Sequence, residues 1–243
     1  MAGIVQRVLD GIADIVAPRV CAGCGDEGVW LCLACAQNLK YAQYGTCFRC
    51  QRLSVDGVTC DQCARHFSIN GVTTLVAYHI PVVRRIIQTA KYAPARDVCG
   101  AFVTLLECGK SADRLARVLC TEGRDHCESV LLVPIPPGAH SERRRGFNQS
   151  AIIARELETL GVGTYCNALE RTRQTSRQAS LTREKRLTNV IDAFACRQNV
   201  HVQGSTVVIV DDVATTGSTL LAASEALRAA GAKVVWGFAI ARG

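Results

Sequence analysis

The sequence predicts an α/β domain, with a mostly parallel sheet and helices on both faces, preceded by a small cysteine-rich module. Three observations carry this prediction. Residues 207–210 form an unbroken apolar run, which is typical of a strand buried on both faces of a parallel sheet. Other strand-like and helix-like runs alternate along residues 69–243. Eight cysteines form four CxxC pairs within residues 1–68, and this spacing marks that segment as a separate module.

The first half of the larger segment predicts one strand followed by three helical stretches. Residues 72–78 are rich in apolar and β-branched residues and are predicted as a strand. Pro81 then opens a helix whose apolar residues fall on one side: Val83, Ile86, Ile87 and Ala90. Pro94 ends this helix shortly after Lys91, and two more helical segments are expected between residues 98 and 119. An amphipathic helix within residues 1–20 is expected to pack on the core.

The second half predicts three strands with helices between them. Residues 130–135 are a buried strand, and a helix reaching residue 160 follows. The strand at residues 207–210 leads through a short polar loop into an Ala/Leu-rich helix at residues 220–230, which Gly231 is placed to end. Residues 234–240 are the final strand.

The cysteine spacing predicts two structural metal sites. The pairs are Cys21/Cys24, Cys32/Cys35, Cys47/Cys50 and Cys60/Cys63, with gaps of seven, eleven and nine residues between them. A CxxC turn points two sulfurs at one metal, and two such turns complete the tetrahedral S₄ site of structural zinc. Two Zn²⁺ ions are therefore expected, with the pairs grouped in chain order or interleaved. Both sites are filled with thiolate, and reduced thiols with zinc indicate the cytoplasm.

Charge and missing motifs exclude several classes of protein. The formal net charge is +7, but eight thiolates and two Zn²⁺ together would lower it to about +3, so charge alone does not predict nucleic-acid binding. No apolar run is long enough to span a bilayer. The sequence contains no GxxxxGK[ST] loop, no GxGxxG after a strand and no HExxH, which disfavours kinases, P-loop ATPases and dinucleotide enzymes.

Residues 211–219 predict an anion site beside two acids. Asp211 and Asp212 follow the buried strand, and a loop of small hydroxyl residues and glycine leads from them into the next helix. Free backbone N–H groups at a helix N-terminus bind phosphate, and ligands of open α/β sheets lie at the carboxyl ends of strands. Carboxylates beside a phosphate site suit a ribose that carries a 5′-phosphate.

Residues 207–219 resemble the phosphoribosyl-pyrophosphate (PRPP) binding motif of type I phosphoribosyltransferases, because the apolar strand, both acids and the Thr-Thr-Gly-Ser-Thr loop all match it. The rest of the chain from Cys21 onward resembles the ComF/GntX-like proteins of bacterial competence. The features that carry this second resemblance are the paired CxxC turns, Lys91-Tyr92 after a helix, Val133-Pro134 followed by residues 145–149, and the spacing of Gln178, Arg186, Asn189 and Phe194.

The resemblance implies a type I phosphoribosyltransferase fold after a double zinc ribbon, and a set of site residues. The residues that would hold PRPP, with the acids on the ribose hydroxyls directly or through Mg²⁺-bound water, are Asp211, Asp212, Ala214, Thr215, Thr216, Gly217, Ser218 and Thr219. The cationic candidates for the pyrophosphate and for a closing lid at residues 171–189 are Lys91, Arg143, Arg144, Arg145, Arg171 and Arg173.

Two functional hypotheses remain open. The first is a Mg²⁺-dependent phosphoribosyltransferase that takes part in DNA uptake and natural transformation, with an acceptor that the sequence does not identify. Hypoxanthine-type relatives carry a catalytic carboxylate where this chain has Ala214, and the sequence offers no other obvious general base. The second is a non-catalytic protein that binds single-stranded DNA or senses PRPP. Its partners would be PRPP, single-stranded DNA and the DNA-uptake machinery.

Overall fold

A computed structural model describes residues 19–42, 45–92, 96–120, 130–138, 146–172 and 193–243. Its cysteine-rich part contains two short helices and two short strands, α1 (Leu33–Gln37), β1 (Gly45–Thr46), β2 (Leu53–Ser54) and α2 (Asp61–Ala64), with a 3₁₀ helix at Val55–Gly57. Strands β1 and β2 pair as an antiparallel hairpin. Cys32 is the N-cap residue of the first helix and Cys60 that of the second, so each of these helices follows directly from a cysteine.

The larger part contains a parallel sheet and five helices among the described residues. In chain order its elements are β3 (Gly71–Ala77), α3 (Pro81–Tyr92), α4 (Gly100–Cys108), α5 (Ser111–Cys120), β4 (Val130–Pro134), α6 (Gln149–Thr159), β5 (Thr164–Tyr165), β6 (Leu169–Arg171), β7 (Phe194–Cys196), β8 (Thr206–Ala214), α7 (Ser218–Ala229) and β9 (Val234–Arg242). Strands β6 and β7 form a separate antiparallel pair.

The main sheet has the strand order β3-β9-β8-β4-β5, and all neighbouring strands are parallel. From β4 the chain continues through α6 to β5 on one side, whereas from β8 it continues through α7 to β9 on the other side. The strand order therefore reverses between β4 and β8. In open α/β sheets, such a switch point creates a crevice at the carboxyl ends of the two strands, where ligands bind.

Strand β8 separates two apolar layers because its side chains alternate between the faces of the sheet. Val208 and Val210 belong to the core that includes the buried residues of α3, α4, α5 and α6. Val207 and Ile209 belong to the second core, which includes α7 and the β6–β7 pair. All four valine and isoleucine side chains are fully buried. Burial on both faces explains why this strand has an unbroken apolar run rather than an alternating pattern.

The structure confirms the predicted α/β fold and its parallel sheet. Two details differ from the sequence prediction. Strand β8 continues past the two acids to Ala214, because hydrogen bonding to β9 continues as far as Arg242. Strands β5, β6 and β7 were not predicted, since each has only two or three residues and shows no usable periodicity. The helix predicted within residues 1–20 lies, apart from its last two residues, outside the described part of the chain. Among the described residues, no helix is long and apolar enough to cross a bilayer.

Candidate ligand site and cysteine clusters

The acidic pair, Asp211 and Asp212, lies on β8 beside the switch point of the sheet. Pairing between β4 and β8 ends at Pro134 opposite Val210, one residue before the acidic pair. The backbone N–H of Ile135 still donates to the Val210 carbonyl at 2.9 Å, and the chain then leaves the sheet. The acidic pair therefore borders the crevice in which ligands of this fold class bind.

Side chains from two helices reach the acidic pair. The Lys91 ammonium, near the end of α3, lies 3.0 Å from Asp212 Oδ2. The Ser150 hydroxyl, in the first turn of α6, donates to Asp211 Oδ1 at 3.1 Å. The backbone N–H of Asp212 also donates to Asp211 Oδ1, at 2.8 Å. Three separate segments of the chain thus converge on these two carboxylates.

The two acids have different electrostatic surroundings. Burial, and to a smaller extent the neighbouring Asp212 charge, raise the pKa of Asp211. The Asp212 N–H, the Lys91 charge and the Ser150 hydroxyl act in the opposite direction, and the pKa that results is about 7. Asp212 is 8% exposed and has the direct ion pair with Lys91. Holding Asp211 ionised is therefore costly without a ligand or cation, which is typical of a binding site.

The chain that leaves β4 is held by two polar side chains. Asn148 caps α6: its side-chain oxygen accepts from the Ser150 N–H at 3.0 Å, and its amide group donates to the Ile135 carbonyl at 3.0 Å. Arg171 Nε donates to the Pro136 carbonyl at 2.9 Å, and its guanidinium lies 4.8 Å from the centre of the Phe194 ring. Burial lowers the pKa of Arg171, whereas the charge of Asp211 raises it, so Asp211 acts on this cation electrostatically.

Residues 214–219, which run from the last residue of β8 into the first turn of α7 and are called the 214–219 loop here, present backbone N–H groups and small hydroxyls. Gly217 is the N-cap residue of α7 and has φ of +74°, a left-handed conformation that favours glycine. Gly217 itself makes no side-chain cap, whereas the Ser218 N–H donates to the Thr216 hydroxyl oxygen at 3.4 Å. The hydroxyls of Thr216 and Ser218 lie 3.0 Å apart and hydrogen-bond to each other. A first turn with no side chain at its N-cap and with hydroxyls beside it can bind a phosphate group.

The eight cysteines of the CxxC pairs form two tetrads in chain order. Within each tetrad, all four sulfurs lie within 4.8 Å of one another, and the tetrads are Cys21, Cys24, Cys32 and Cys35, and Cys47, Cys50, Cys60 and Cys63. A tetrahedron of Zn–S bonds of about 2.3 Å separates its sulfurs by about 3.8 Å. Two measured separations are 3.8 Å for Cys24 and Cys32, and 3.5 Å for Cys50 and Cys60. Each tetrad can hold one zinc ion.

Backbone N–H groups favour thiolate in both tetrads. The Cys32 N–H donates to Cys21 Sγ at 3.3 Å, and the Cys35 N–H donates to Cys32 Sγ at 3.4 Å. Burial alone would raise the pKa of Cys21, but three backbone N–H groups outweigh it and lower the pKa to about 6. The pKa of Cys47 is likewise lowered to about 6 against the effect of burial, through the N–H groups of Cys50, Cys60 and Arg49. These thiols suit metal ligation.

Most of the ligand-site residues singled out from sequence lie at or beside the carboxyl ends of β4 and β8. They are Lys91, Arg171, the acidic pair and the 214–219 loop. The eight cysteines singled out from sequence form the two tetrads. Four cationic candidates and most of the proposed lid lie outside the described residues, and those candidates are Arg143, Arg144, Arg145 and Arg173. Sequence reasoning missed Ser150. Its position could have identified it, because Ser150 lies two residues after Asn148, in the first turn of the helix that follows β4.

Comparison with known proteins agrees with this geometry. Residues 143–241 match the family model of the phosphoribosyl transferase domain. The chain is 32% identical over 218 residues to DNA utilization protein YhgH of Escherichia coli O157:H7, covering 84% of this chain and 93% of that protein. A relative of the same name in Salmonella typhimurium is 31% identical over 218 residues, with the same coverage. Competence protein F of Haemophilus influenzae is 26% identical over 227 residues, which cover 86% of this chain and 96% of that protein.

The match to these relatives covers 84% to 86% of this chain, so it concerns far more than one motif. The chain belongs to the ComF/GntX-like family, in which a double zinc ribbon precedes a type I phosphoribosyltransferase domain.

Proposed function

We propose that this protein binds PRPP with Mg²⁺ in the crevice between β4 and β8, and that it acts in DNA uptake during natural transformation. One juxtaposition carries the choice of ligand: two adjacent carboxylates precede the first turn of α7, whose N-cap Gly217 has no side chain, at the switch point. Carboxylates accept hydrogen bonds from ribose hydroxyls, and free N–H groups at a helix N-terminus bind phosphate. PRPP carries ribose hydroxyls and a 5′-phosphate on one sugar.

Each part of the proposed ligand has its own set of residues. Asp211 and Asp212 accept from the 2′- and 3′-hydroxyls, directly or through Mg²⁺-bound water. The backbone of residues 214–218 holds the 5′-phosphate, helped by the hydroxyls of Thr215, Thr216 and Thr219. Mg²⁺ supplies charge neutralisation for the pyrophosphate. The protein's own cations for that group are Lys91 and Arg171, together with Arg143, Arg144, Arg145 and Arg173 from the segments outside the described residues.

Binding of PRPP is a separate property from transfer of its phosphoribosyl group to an acceptor, and an experiment can distinguish the two. Transfer would break the bond between ribose C1 and the pyrophosphate oxygen and form a bond from C1 to an acceptor. Residue 214, where hypoxanthine-type relatives carry a carboxylate base, is a buried alanine. Release of pyrophosphate from PRPP, measured over a panel of candidate acceptors, decides whether the protein is a transferase or a PRPP-binding protein without turnover.

Calorimetry with PRPP and Mg²⁺ tests the ligand. The wild-type protein is expected to bind, and the double variant Asp211→Asn, Asp212→Asn is expected to lose binding because amides do not replace two charged acceptors. The control converts two exposed carboxylates, Asp113 and Glu225, to their amides and should bind PRPP like the wild type. Wild-type protein that binds no PRPP, or an acidic-pair variant with unchanged affinity, would refute the proposal.

The role in DNA uptake draws on the relatives named for DNA utilization and for competence. We expect deletion of the gene to lower transformation frequency in a naturally transformable host, and the Asp211→Asn, Asp212→Asn allele to behave like the deletion. The exposed-carboxylate variant serves again as the control. Normal transformation by the deletion strain would overturn this part of the proposal.

Binding of single-stranded DNA is the second candidate function. The same family names support it, and a salt titration of affinity tests it, because phosphate contacts make binding fall steeply with salt. If the full chain binds single-stranded DNA with no salt dependence, or does not bind it, this candidate is wrong.

We further propose that the two tetrads hold structural zinc and that the protein works in the cytoplasm, where such thiolates stay reduced. Metal analysis of purified protein is expected to return about two zinc ions per chain. A folded protein free of metal would contradict this proposal.

A further inference from the structure

Apolar residues beside the two cysteine tetrads belong to different cores of the parallel sheet. Around the first tetrad, Cys21, Leu31 and Ala36 belong to the core that includes α3, α4 and α6. Phe48, which lies between two cysteines of the second tetrad, belongs to the other core, which includes Leu220 and the rest of the buried side of α7. Phe48 therefore shares an apolar core with the helix that begins at the 214–219 loop.

Phe48 lies directly against the glycine of that loop. A Cβ atom built on Gly217 would lie 2.8 Å from Phe48 Cδ2, closer than real Cβ contacts allow. The Phe48 side chain is only 7% exposed, so the ring is enclosed as well as close. The ring of Phe67 meets it edge-on, with 6.0 Å between the ring centres. The aromatic ring thus fills the space on one side of the left-handed residue that begins α7.

The backbone around Phe48 is tied to the end of the loop by hydrogen bonds. Arg242, at the end of β9, donates to the carbonyls of Thr46 and Phe48, both at 3.3 Å. The next residue, Gly243, donates its N–H to the Ala214 carbonyl at 3.0 Å. Since Phe48 also stands between two ligands of the second tetrad, that cluster, its aromatic residue and the loop form one connected unit.

We infer that Phe48 is a positioning residue for the ligand's 5′-phosphate, acting through Gly217, and that the second cysteine tetrad is thereby connected to the phosphate site through Phe48. This inference rests on the proposed PRPP site. The loop has no side-chain cap at Gly217, so the direction of the first N–H groups of α7 depends on the conformation of this residue. A buried ring that covers one side of Gly217 restricts the backbone conformations open to this glycine. Without it, the loop populates other conformations, and apparent affinity falls with the competent fraction.

The test measures affinity for PRPP and for ribose 5-phosphate, both with Mg²⁺, in full-length protein with zinc content and melting temperature recorded. Phe48→Ala is expected to weaken both ligands by about tenfold, or 1.4 kcal/mol. Phe48→Leu keeps apolar volume against Gly217 and is expected to stay within about threefold of the wild type. Leu31→Ala is the matched control, because Leu31 is a buried apolar residue next to a ligand of the first tetrad, at 4% exposure. It should lower the melting temperature without changing affinity.

Each outcome decides the inference. Loss of affinity in Phe48→Ala, with two zinc ions retained and Leu31→Ala unaffected, supports it. Wild-type affinity in Phe48→Ala overturns it, and so does an equal loss in Leu31→Ala, which would indicate general destabilisation. If Phe48→Ala does not retain its metal, Phe48→Val replaces it under the same criteria. Failure of the wild-type protein to bind either ligand refutes the proposed function instead, so the two failures are distinguishable.

Discussion

Replacement of Asp211 by asparagine should make the ligand-free protein more stable while weakening its binding of PRPP. Asparagine has nearly the shape of aspartate, and its side-chain oxygen can still accept from the Ser150 hydroxyl and from the Asp212 N–H. It removes the negative charge, which burial and the adjacent Asp212 disfavour. The same change deletes a charged acceptor for a ribose hydroxyl. Stability and binding are therefore expected to move in opposite directions.

The size of the stability gain follows from the pKa of Asp211. This pKa is about 7 in the folded protein, whereas an aspartate ordinarily has a pKa of 3.8, so the two pKa values differ by about three. Each unit corresponds to about 1.36 kcal/mol, so the ionised carboxylate costs the folded state about 4 kcal/mol well above pH 7. An asparagine side chain at this position would carry no such cost.

The sign of the pH dependence is as specific as its size. Because the folded-state pKa of Asp211 is raised, the folded protein binds more protons than the unfolded chain between about pH 4 and pH 7. The protonated Asp211 carboxyl contributes its full stability at pH values below the pKa of the unfolded chain. This contribution is lost as the pH rises through the pKa of the folded protein. The advantage of Asp211→Asn over the wild type should therefore grow, by about 2 kcal/mol between pH 5.5 and pH 8.

Urea unfolding of both proteins without ligand, at several pH values in that range, measures the difference. Taking the difference removes the contribution of the cysteine tetrads, whose metal binding also depends on pH. Glu225→Gln, an exposed change on α7, is the control and should alter the free energy of unfolding by less than about 0.5 kcal/mol at every pH. A variant that is less stable than the wild type at pH 8, or a difference that does not vary with pH, would refute this account of the acidic pair.

Three further predictions concern residues near the carboxyl ends of β4 and β8. Lys91→Met should weaken PRPP binding in calorimetry and destabilise the ligand-free protein by about 1–3 kcal/mol, because Asp212 loses its counter-ion; unchanged unfolding would contradict the ion pair. Gly217→Ala should cost at least about 1 kcal/mol in thermal unfolding and weaken PRPP binding, since the added Cβ meets Phe48 at positive φ; a neutral effect would disprove that contact. Asn148→Ala should lower the free energy of unfolding in urea by about 1 kcal/mol, because α6 loses its N-cap. Asn148→Asp should keep most of that stability, since aspartate also caps helices.

Local chemistry made several features predictable from sequence. The run at residues 207–210 has no polar residue, and only a strand covered on both faces tolerates that, so the parallel sheet could be expected. The helix after Pro81 was predicted from the spacing of Val83, Ile86 and Ile87, and all three side chains are buried. The 214–219 loop was predicted as an anion site because glycine and small hydroxyl residues between a strand and a helix are typical of phosphate binding at a helix N-terminus.

Short strands and long-range contacts could not be predicted in this way. Strand β8 extends past the acidic pair because β9 continues beside it, a pairing that the local pattern around Asp211 does not reveal. Ser150 and Asp211 are separated by 61 residues, and only the order of the strands brings them within hydrogen-bond distance. Phe48 looks like an ordinary aromatic residue inside a CxxC turn until its ring is found against Gly217.

The sequence by itself determined the fold class, the eight cysteines of the CxxC pairs and the residues of the 214–219 loop, because periodicity, CxxC turns and helix termini are local properties of the chain. Only the tertiary structure decided that the tetrads assemble in chain order, that Cys21 and Phe48 belong to different cores, and that Lys91 and Ser150 meet the acidic pair. These contacts join residues far apart in the chain, and they depend on strand order and on which face each helix covers. Neither property is encoded in the local spacing of residues.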